Sequence, residues 1–225
     1  MMPELDGKVV LITGAGRGQG RELALALAAQ GAMIAANDIS PLNVDEVARQ
    51  ISASGCGQAR VYLHDVAKKV AVQALVNQVM DDFGRIDILI NSANVEPAAG
   101  LMSMDEWDLH RVFEVNTIGT FLLMQSTARV MREQGSGLIV NLLGDLGRDL
   151  APAYAASRLA VGELTRRTAI ELSAHDIRVY GLVKNPDASS LPDALFSSAG
   201  QAVLSLCMSP GIPSGAILNL VEINL

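Results

Sequence analysis

The chain has little of what builds covalent or metal-based sites. Among its 225 residues are two cysteines and three histidines. Cys56 and Cys207 are too few and too far apart for a disulfide framework or a thiolate metal site, and they read as free thiols of a reducing compartment. His64, His110 and His175 are scattered, with no pair at the spacing that puts two ligands on one helix face, so no metal is expected. Aromatic residues make up 4% of the chain, and Trp107 and the nine methionines read as core or interface filling. Positive charge is also short. Seventeen Lys and Arg against 24 Asp and Glu leave a net charge of −7, which argues against nucleic acid as a partner, since phosphates need a basic face. No run of like charges and no basic amphipathic stretch supports a membrane-surface role. The longest apolar region, Leu23 to Ala36, is broken by Gln30 and Gly31 and cannot span a bilayer. Met1 to Asp6 carries acids without an apolar core, unlike a signal peptide, so the cytoplasm is the expected location.

What is present is an alternation of short β-branched runs with longer helical periods. Half the residues are apolar, and the length suits one α/β domain over residues 1–225. Strands are expected at residues 8–13, 32–37, 60–64, 86–90, 138–143, 177–183 and 216–223. Helices are expected at 17–30, 41–54, 68–83, 104–133, 152–174 and about 191–206. Apolar strands without polar alternation are buried on both faces, as in a parallel sheet covered by helices. Repeated βα units then give a doubly wound, three-layer αβα sheet of about seven strands. Residues 185–214 hold four prolines and read as a short lid.

The turn after the first strand reads Thr13-Gly14-Ala15-Gly16-Arg17-Gly18-Gln19-Gly20 and leads into a helix. Glycines there let the backbone approach a pyrophosphate at the helix N-terminus. The spacing is Gly14-x-x-x-Gly18-x-Gly20, and the common G-x-G-x-x-G template fails in every register. Asp38 closes the second strand, where an acid can accept the adenosine ribose hydroxyl. Read together, these features favour a Rossmann-type dinucleotide site, with NAD as the cofactor.

These motifs, with Asp65-Val66, Asn91-Ser92-Ala93-Asn94, Asn116 within EVNTIGTF and Tyr154-Ala155-Ala156-Ser157-Arg158, resemble the short-chain dehydrogenase/reductase family along nearly the whole chain. The resemblance implies hydride transfer between nicotinamide and a carbonyl or alcohol carbon of a small substrate, with Tyr154 as acid and base. It implies dinucleotide binding in residues 1–100, and the active site and oligomer contacts in residues 101–225. Cofactor contacts would come from Gly14, Arg17, Gly18, Gln19, Gly20, Asp38, Asp65, Val66, Asn91, Ser92, Ala93, Tyr154, Arg158 and Pro186, with Asn116 supporting a helix kink. Asp65 and Val66 would meet the adenine.

Two members of the family's active set are replaced. Arg158 stands for the lysine one helical turn beyond the tyrosine, and its planar fork places donors differently. Gly144 stands for the serine that polarises the substrate oxygen, a loss of about 10²–10³ in rate. Asn94 replaces a glycine, which asparagine's tolerance of left-handed backbone makes mild. The resemblance therefore implies an oxidoreductase with impaired catalysis or, alternatively, a degenerate NAD(H)-binding sensor or partner subunit. Restoring Gly144→Ser together with Arg158→Lys is expected to raise turnover more than the product of the single changes. A homodimer or homotetramer is implied, with Phe113, Ile118, Phe121, Leu159 and Leu164 at the contact and the final strand at a sheet edge that needs covering.

Overall fold

Residues 5–147, 150–184, 195–196, 198–208 and 211–220 are described by the computed structural model. Its central strands are those whose apolar runs are unbroken. β1 (Val9–Thr13) and β4 (Ile88–Asn91) are buried at every residue. β2 (Met33–Asn37), β5 (Gly137–Asp145) and β6 (Ile177–Lys184) are buried over most of their length. With β3 (Gln58–Tyr62), β7 (Leu195–Phe196) and β8 (Ile217–Leu220) they form one sheet in the order β3-β2-β1-β4-β5-β6-β8-β7. All its pairings are parallel.

Successive side chains of a strand point to opposite faces, so the sheet divides the core in two. Val10 and Ile12 pack in a cluster with Leu23 and Leu27 of α1 (Gly18–Ala28), Val47 of α2 (Pro41–Ser54) and Leu206 of α7 (Ala199–Met208). Val9 and Leu11 pack in another with Leu75 of α3 (Lys69–Phe83), Leu123 of α5 (Thr120–Gln134) and Ala169 of α6 (Pro152–Leu172). This is the expected doubly wound αβα arrangement. The order turns back between β1 and β4, and the crevice beyond the strand ends there is where such sheets bind ligands.

Four expectations change. β3 lies two residues earlier than expected and is not buried on both faces, because it is the edge strand with one neighbour. The final strand is not at the edge: β8 sits between β6 and β7, whose two residues pair with Asn219 and Leu220. That pairing places a strand inside the segment expected to be helical, so α7 starts only at Ala199. The single helix expected over 104–133 is α4 (Glu106–Phe113), a π turn (Glu114–Gly119) and α5 in direct succession.

At the opposite end of the sheet, Asp87 collects positive charge before β4. It accepts from Arg85 Nε at 2.8 Å, Arg85 Nη2 at 2.6 Å and the backbone N–H of Val9 at 3.0 Å, with Lys8 Nζ at 3.3 Å. Burial pushes the carboxyl's pKa up, but the Arg85 bonds, the Val9 bond and the Lys8 charge outweigh it, and the net shift is downward. A depressed folded pKa gives stability that is full above the unfolded pKa of about 4 and is lost as pH falls through the folded value. Asp87→Asn should therefore lower the melting temperature by several degrees at pH 7, as expected for losing about 1–2 kcal/mol of charge-assisted bonding. Thermal melts across pH should show the difference between variant and parent shrinking below about pH 4.

Candidate active site

A cleft of about 380 Å³ opens across the C-terminal ends of β1, β2, β4 and β5. Its α1 end follows from local sequence. Arg17 is in extended conformation and α1 begins at Gly18, so the unpaired N–H groups of the first turn face the cleft, where Gly18 and Gln19 line it. The cradle depends on two close approaches. At Gly14, with φ of +65°, a Cβ would stand 2.7 Å from the Ala93 Cα, and at Gly20 a Cβ would stand 2.2 Å from the Gly14 carbonyl oxygen. A side chain at either position would push the turn off β4 or off the helix.

Asp38 follows β2 directly. One carboxylate oxygen accepts from Gly16 N–H at 2.9 Å and the other from Ser40 N–H at 3.0 Å, so the acid is fixed beside the glycine turn. Asp65, Val66, Ser92 and Ala93 line the same cleft. Two residues not expected from sequence hold this wall. Thr13 Oγ1 accepts from the N–H groups of Ser92 and Ala93 at 3.3 and 3.4 Å. The Asn37 side chain bonds both backbone groups of His64, accepting at 3.1 Å and donating at 3.3 Å. The signal for both was their place at the last position of a strand.

Tyr154, in the first turn of α6, is buried and closes the far end of the cleft with Leu142, Gly144, Asp145 and Glu96. Gly20, Asn91, Asn116 and Arg158 lie behind the wall rather than on it among the described residues. Pro186 lies outside the described residues. Asn94 needs no left-handed backbone, because among the described residues only Asp176 has positive φ without being glycine.

Asn116 is fully buried in the π turn. Its amide accepts from Val95 N–H and donates to Val95 O, both at 2.9 Å, and also donates to Ser157 Oγ at 3.0 Å. Ser157 in turn donates to the Tyr154 carbonyl at 2.7 Å. Ser157 was quoted in the YAASR motif without a role; its place one turn beyond Tyr154 is the signal for one.

Arg158 is 2% exposed. Its guanidinium carbon lies 5.4 Å from the centre of the Tyr154 ring, within the range of a cation–π contact, and Nη1 donates to Leu142 O at 3.4 Å. Nε has no partner among the described residues. Burial pushes the Arg158 pKa down, while Tyr154 and Glu96 favour the charged form. The cation thus backs the tyrosine ring.

Gly144 explains why no serine stands there. The strand carries a bulge between Leu142 and Gly144, and Gly144 has φ of +72°. A Cβ built on it would lie 2.3 Å from the Tyr154 hydroxyl. The tyrosine occupies the space that a side chain at 144 would need. Asp145 Oδ1 accepts from Gly147 N–H at 2.8 Å and holds its own loop.

Comparison with known proteins bears on this arrangement. The family model for short chain dehydrogenases matches residues 8–186. An uncharacterised oxidoreductase of Thermotoga maritima is 32% identical over 96% of both chains. The crystal structure of NAD⁺-bound xylitol dehydrogenase is 33% identical with a TM-score of 0.76, over 80% of this chain and 71% of that one. A metagenomic short-chain oxidoreductase in complex with NADP is 26% identical with a TM-score of 0.83, over 97% and 99%.

The expectation that Gly144→Ser helps to repair the site does not survive this geometry. A side chain at φ of +72° costs about 1–2 kcal/mol, and the contact with Tyr154 adds to it. Gly144→Ser, alone or with Arg158→Lys, should lower the melting temperature by several degrees and raise no activity. In a Tyr154→Phe background the nearest ring atom is the Cζ, 3.6 Å away. There the thermal penalty should be smaller, a non-additivity that calorimetry can read.

Proposed function

The chain belongs to the short-chain dehydrogenase/reductase family, and we propose that it is a nicotinamide-dependent oxidoreductase selective for NAD(H), with slow catalysis on a small carbonyl or alcohol substrate. The observation that carries this reading is continuity: one cleft joins the helix N-terminus, Asp38 and Asp65 to Tyr154 and Gly144. The residues fit a dinucleotide. Among the described residues nothing lies within 4 Å of the position a Cβ would take at Gly18, which leaves a bare surface on the cleft wall. The α1 N-terminus would hold the pyrophosphate, Asp38 the adenosine ribose, and Asp65 with Val66 the adenine.

When bound, the nicotinamide gives or takes the hydride. Tyr154 Oη passes a proton to the substrate oxygen in reduction and accepts it in oxidation, with the Arg158 guanidinium lying over its ring. Asn116 and Ser157 fix the first turn of α6 and so aim the hydroxyl. Among the described residues no serine stands at position 144 beside it, and Tyr154 is the donor that polarises the oxygen. Positioned acid–base help is worth about 10²–10⁴, so a single well-held donor supports turnover below that of a complete set. The same missing donor favours the second reading, a dinucleotide-binding sensor or partner subunit.

NADH should bind at least about tenfold more tightly than NADPH, because Asp38 would face a 2′-phosphate of like charge. Arg17, on the same cleft, tempers this preference. Fluorescence titration of both cofactors tests it, and Asp38→Ala should narrow the gap. Equal or tighter NADPH binding refutes the assignment. A panel of alcohols and ketones should show slow turnover that Tyr154→Phe abolishes. Fast turnover would refute the impaired site.

We also propose a homodimer or homotetramer. Ile118, Phe121 and Leu159 are exposed on the α5 and α6 side. Phe113 and Leu164 are only half exposed, and Leu164 packs on the core. Light scattering at micromolar concentration should report a multiple of the 23.7 kDa chain mass. A monomer there would count against the contact.

A further inference from the structure

Charge is distributed unevenly along the main cleft. Toward α1, cations and acids are matched: Arg17 and Asp38 line the same wall, and Arg111 Nη1 donates to Asp65 Oδ2 at 3.2 Å. At the Tyr154 end the charged side chains on the wall are Glu96 and Asp145, and among the described residues no cation joins them there. Asp145 directly follows Gly144, the residue in contact with the Tyr154 hydroxyl, and its Oδ1 is held by Gly147 N–H at 2.8 Å. Glu96 is close enough to act on the charge of Arg158.

Two cations stand near this end without lining it. Arg158 is buried, lies over the Tyr154 ring and donates to Leu142 O at 3.4 Å. Lys184 is opposite Asp145 in the strand register. Neither is on the cleft wall. A ligand entering this end therefore meets two carboxylates directly and meets Arg158 only from behind the tyrosine.

NAD⁺ and NADH share every phosphate, both riboses and the adenine. They differ by one hydride and one unit of charge, both on the nicotinamide ring. Proton transfer at Tyr154 requires that ring to lie at this end of the cleft. Carboxylates there attract the oxidised, cationic ring and gain nothing from the neutral reduced one. Resting on the dinucleotide reading above, we propose that Glu96 and Asp145 make the site selective for the oxidised cofactor, so that NAD⁺ binds more tightly than NADH.

The selectivity has a consequence for direction. By linkage, a fivefold preference for NAD⁺ lowers the midpoint potential of the bound couple by about 20 mV for two electrons. Bound NADH is then the stronger reductant. In reduction the hydride carries its electron pair to the carbonyl carbon, the Tyr154 Oη proton goes to the oxygen, and the ring becomes positive. Glu96 and Asp145 meet the charge that develops there, which favours the alcohol on the protein and leaves NAD⁺ as the tightly held product.

Calorimetric titration of the whole protein with NAD⁺ and with NADH, without substrate, tests this apart from turnover. NAD⁺ should bind about fivefold more tightly, the scale of two partly screened charge contacts. Glu96→Gln and Asp145→Asn keep the shape and remove the charge. Each should narrow the ratio by about twofold, and the double variant should bind NADH as tightly as NAD⁺. Raising the salt to about 1 M should narrow the parent ratio as well, because the Debye length falls to about 3 Å. Variants that weaken both cofactors alike and leave the ratio unchanged overturn the proposal. So does a parent that binds NADH as tightly as NAD⁺ or more tightly. A parent that binds neither overturns the reading of the cleft itself.

Discussion

The Asn116 amide is the point at which three separate stretches of chain meet. It is fully buried, and its oxygen and nitrogen are both used: one side closes on the backbone of Val95, while the nitrogen also reaches Ser157. A buried primary amide left without those partners would cost about 1–3 kcal/mol for each unpaired group, so the three stretches hold one another in place. Val95 belongs to the loop that leaves β4 along the cleft, Asn116 to the π turn, and Ser157 to the first turns of α6. The wide turn is the local distortion that lets an asparagine of a long helix face inward at the right height. Single π turns inside α-helices often mark functional sites for this reason.

The two ends of the cleft are built by different physics. At the dinucleotide end, short side chains bond to backbone. Thr13 takes two N–H groups, Asn37 takes a donor and an acceptor, and Asp38 takes two N–H groups. These bonds span few rotatable links, so they fix loops that leave adjacent strands. At the catalytic end the determinants are space and charge. Gly144 is left without a side chain because the Tyr154 hydroxyl fills the place, and Arg158 is buried against an aromatic face and a backbone carbonyl, with the Glu96 charge favouring its charged form. A desolvated cation so placed is held by the tyrosine it backs, so the two side chains form one unit.

Much of this was legible in the residues. The apolar runs of β1 and β4, the glycine turn and Asp38 announce their roles locally, because strand burial, positive φ and a fixed acid depend on a few consecutive residues. The motif Tyr154-Ala155-Ala156-Ser157-Arg158 likewise places its three polar groups by helical geometry alone. The exposure of β3 and the interior position of β8 were not legible. Whether a strand has one neighbour or two is a property of the whole sheet, and the same apolar run serves either case.

The sequence by itself determined the alternation of elements, the glycine-rich turn and the residues Gly144 and Arg158, which the resemblance reads as replacements in the family's active set. Only the tertiary structure decided what those replacements mean. Gly144 and Tyr154 are ten positions apart, and their contact depends on a strand bulge and on the packing of α6 against β5. Arg111 and Asp65 are 46 positions apart, and a bond between α4 and the loop after β3 joins them. Contacts of that kind arise from packing between elements, which no periodicity or spacing along one chain segment encodes.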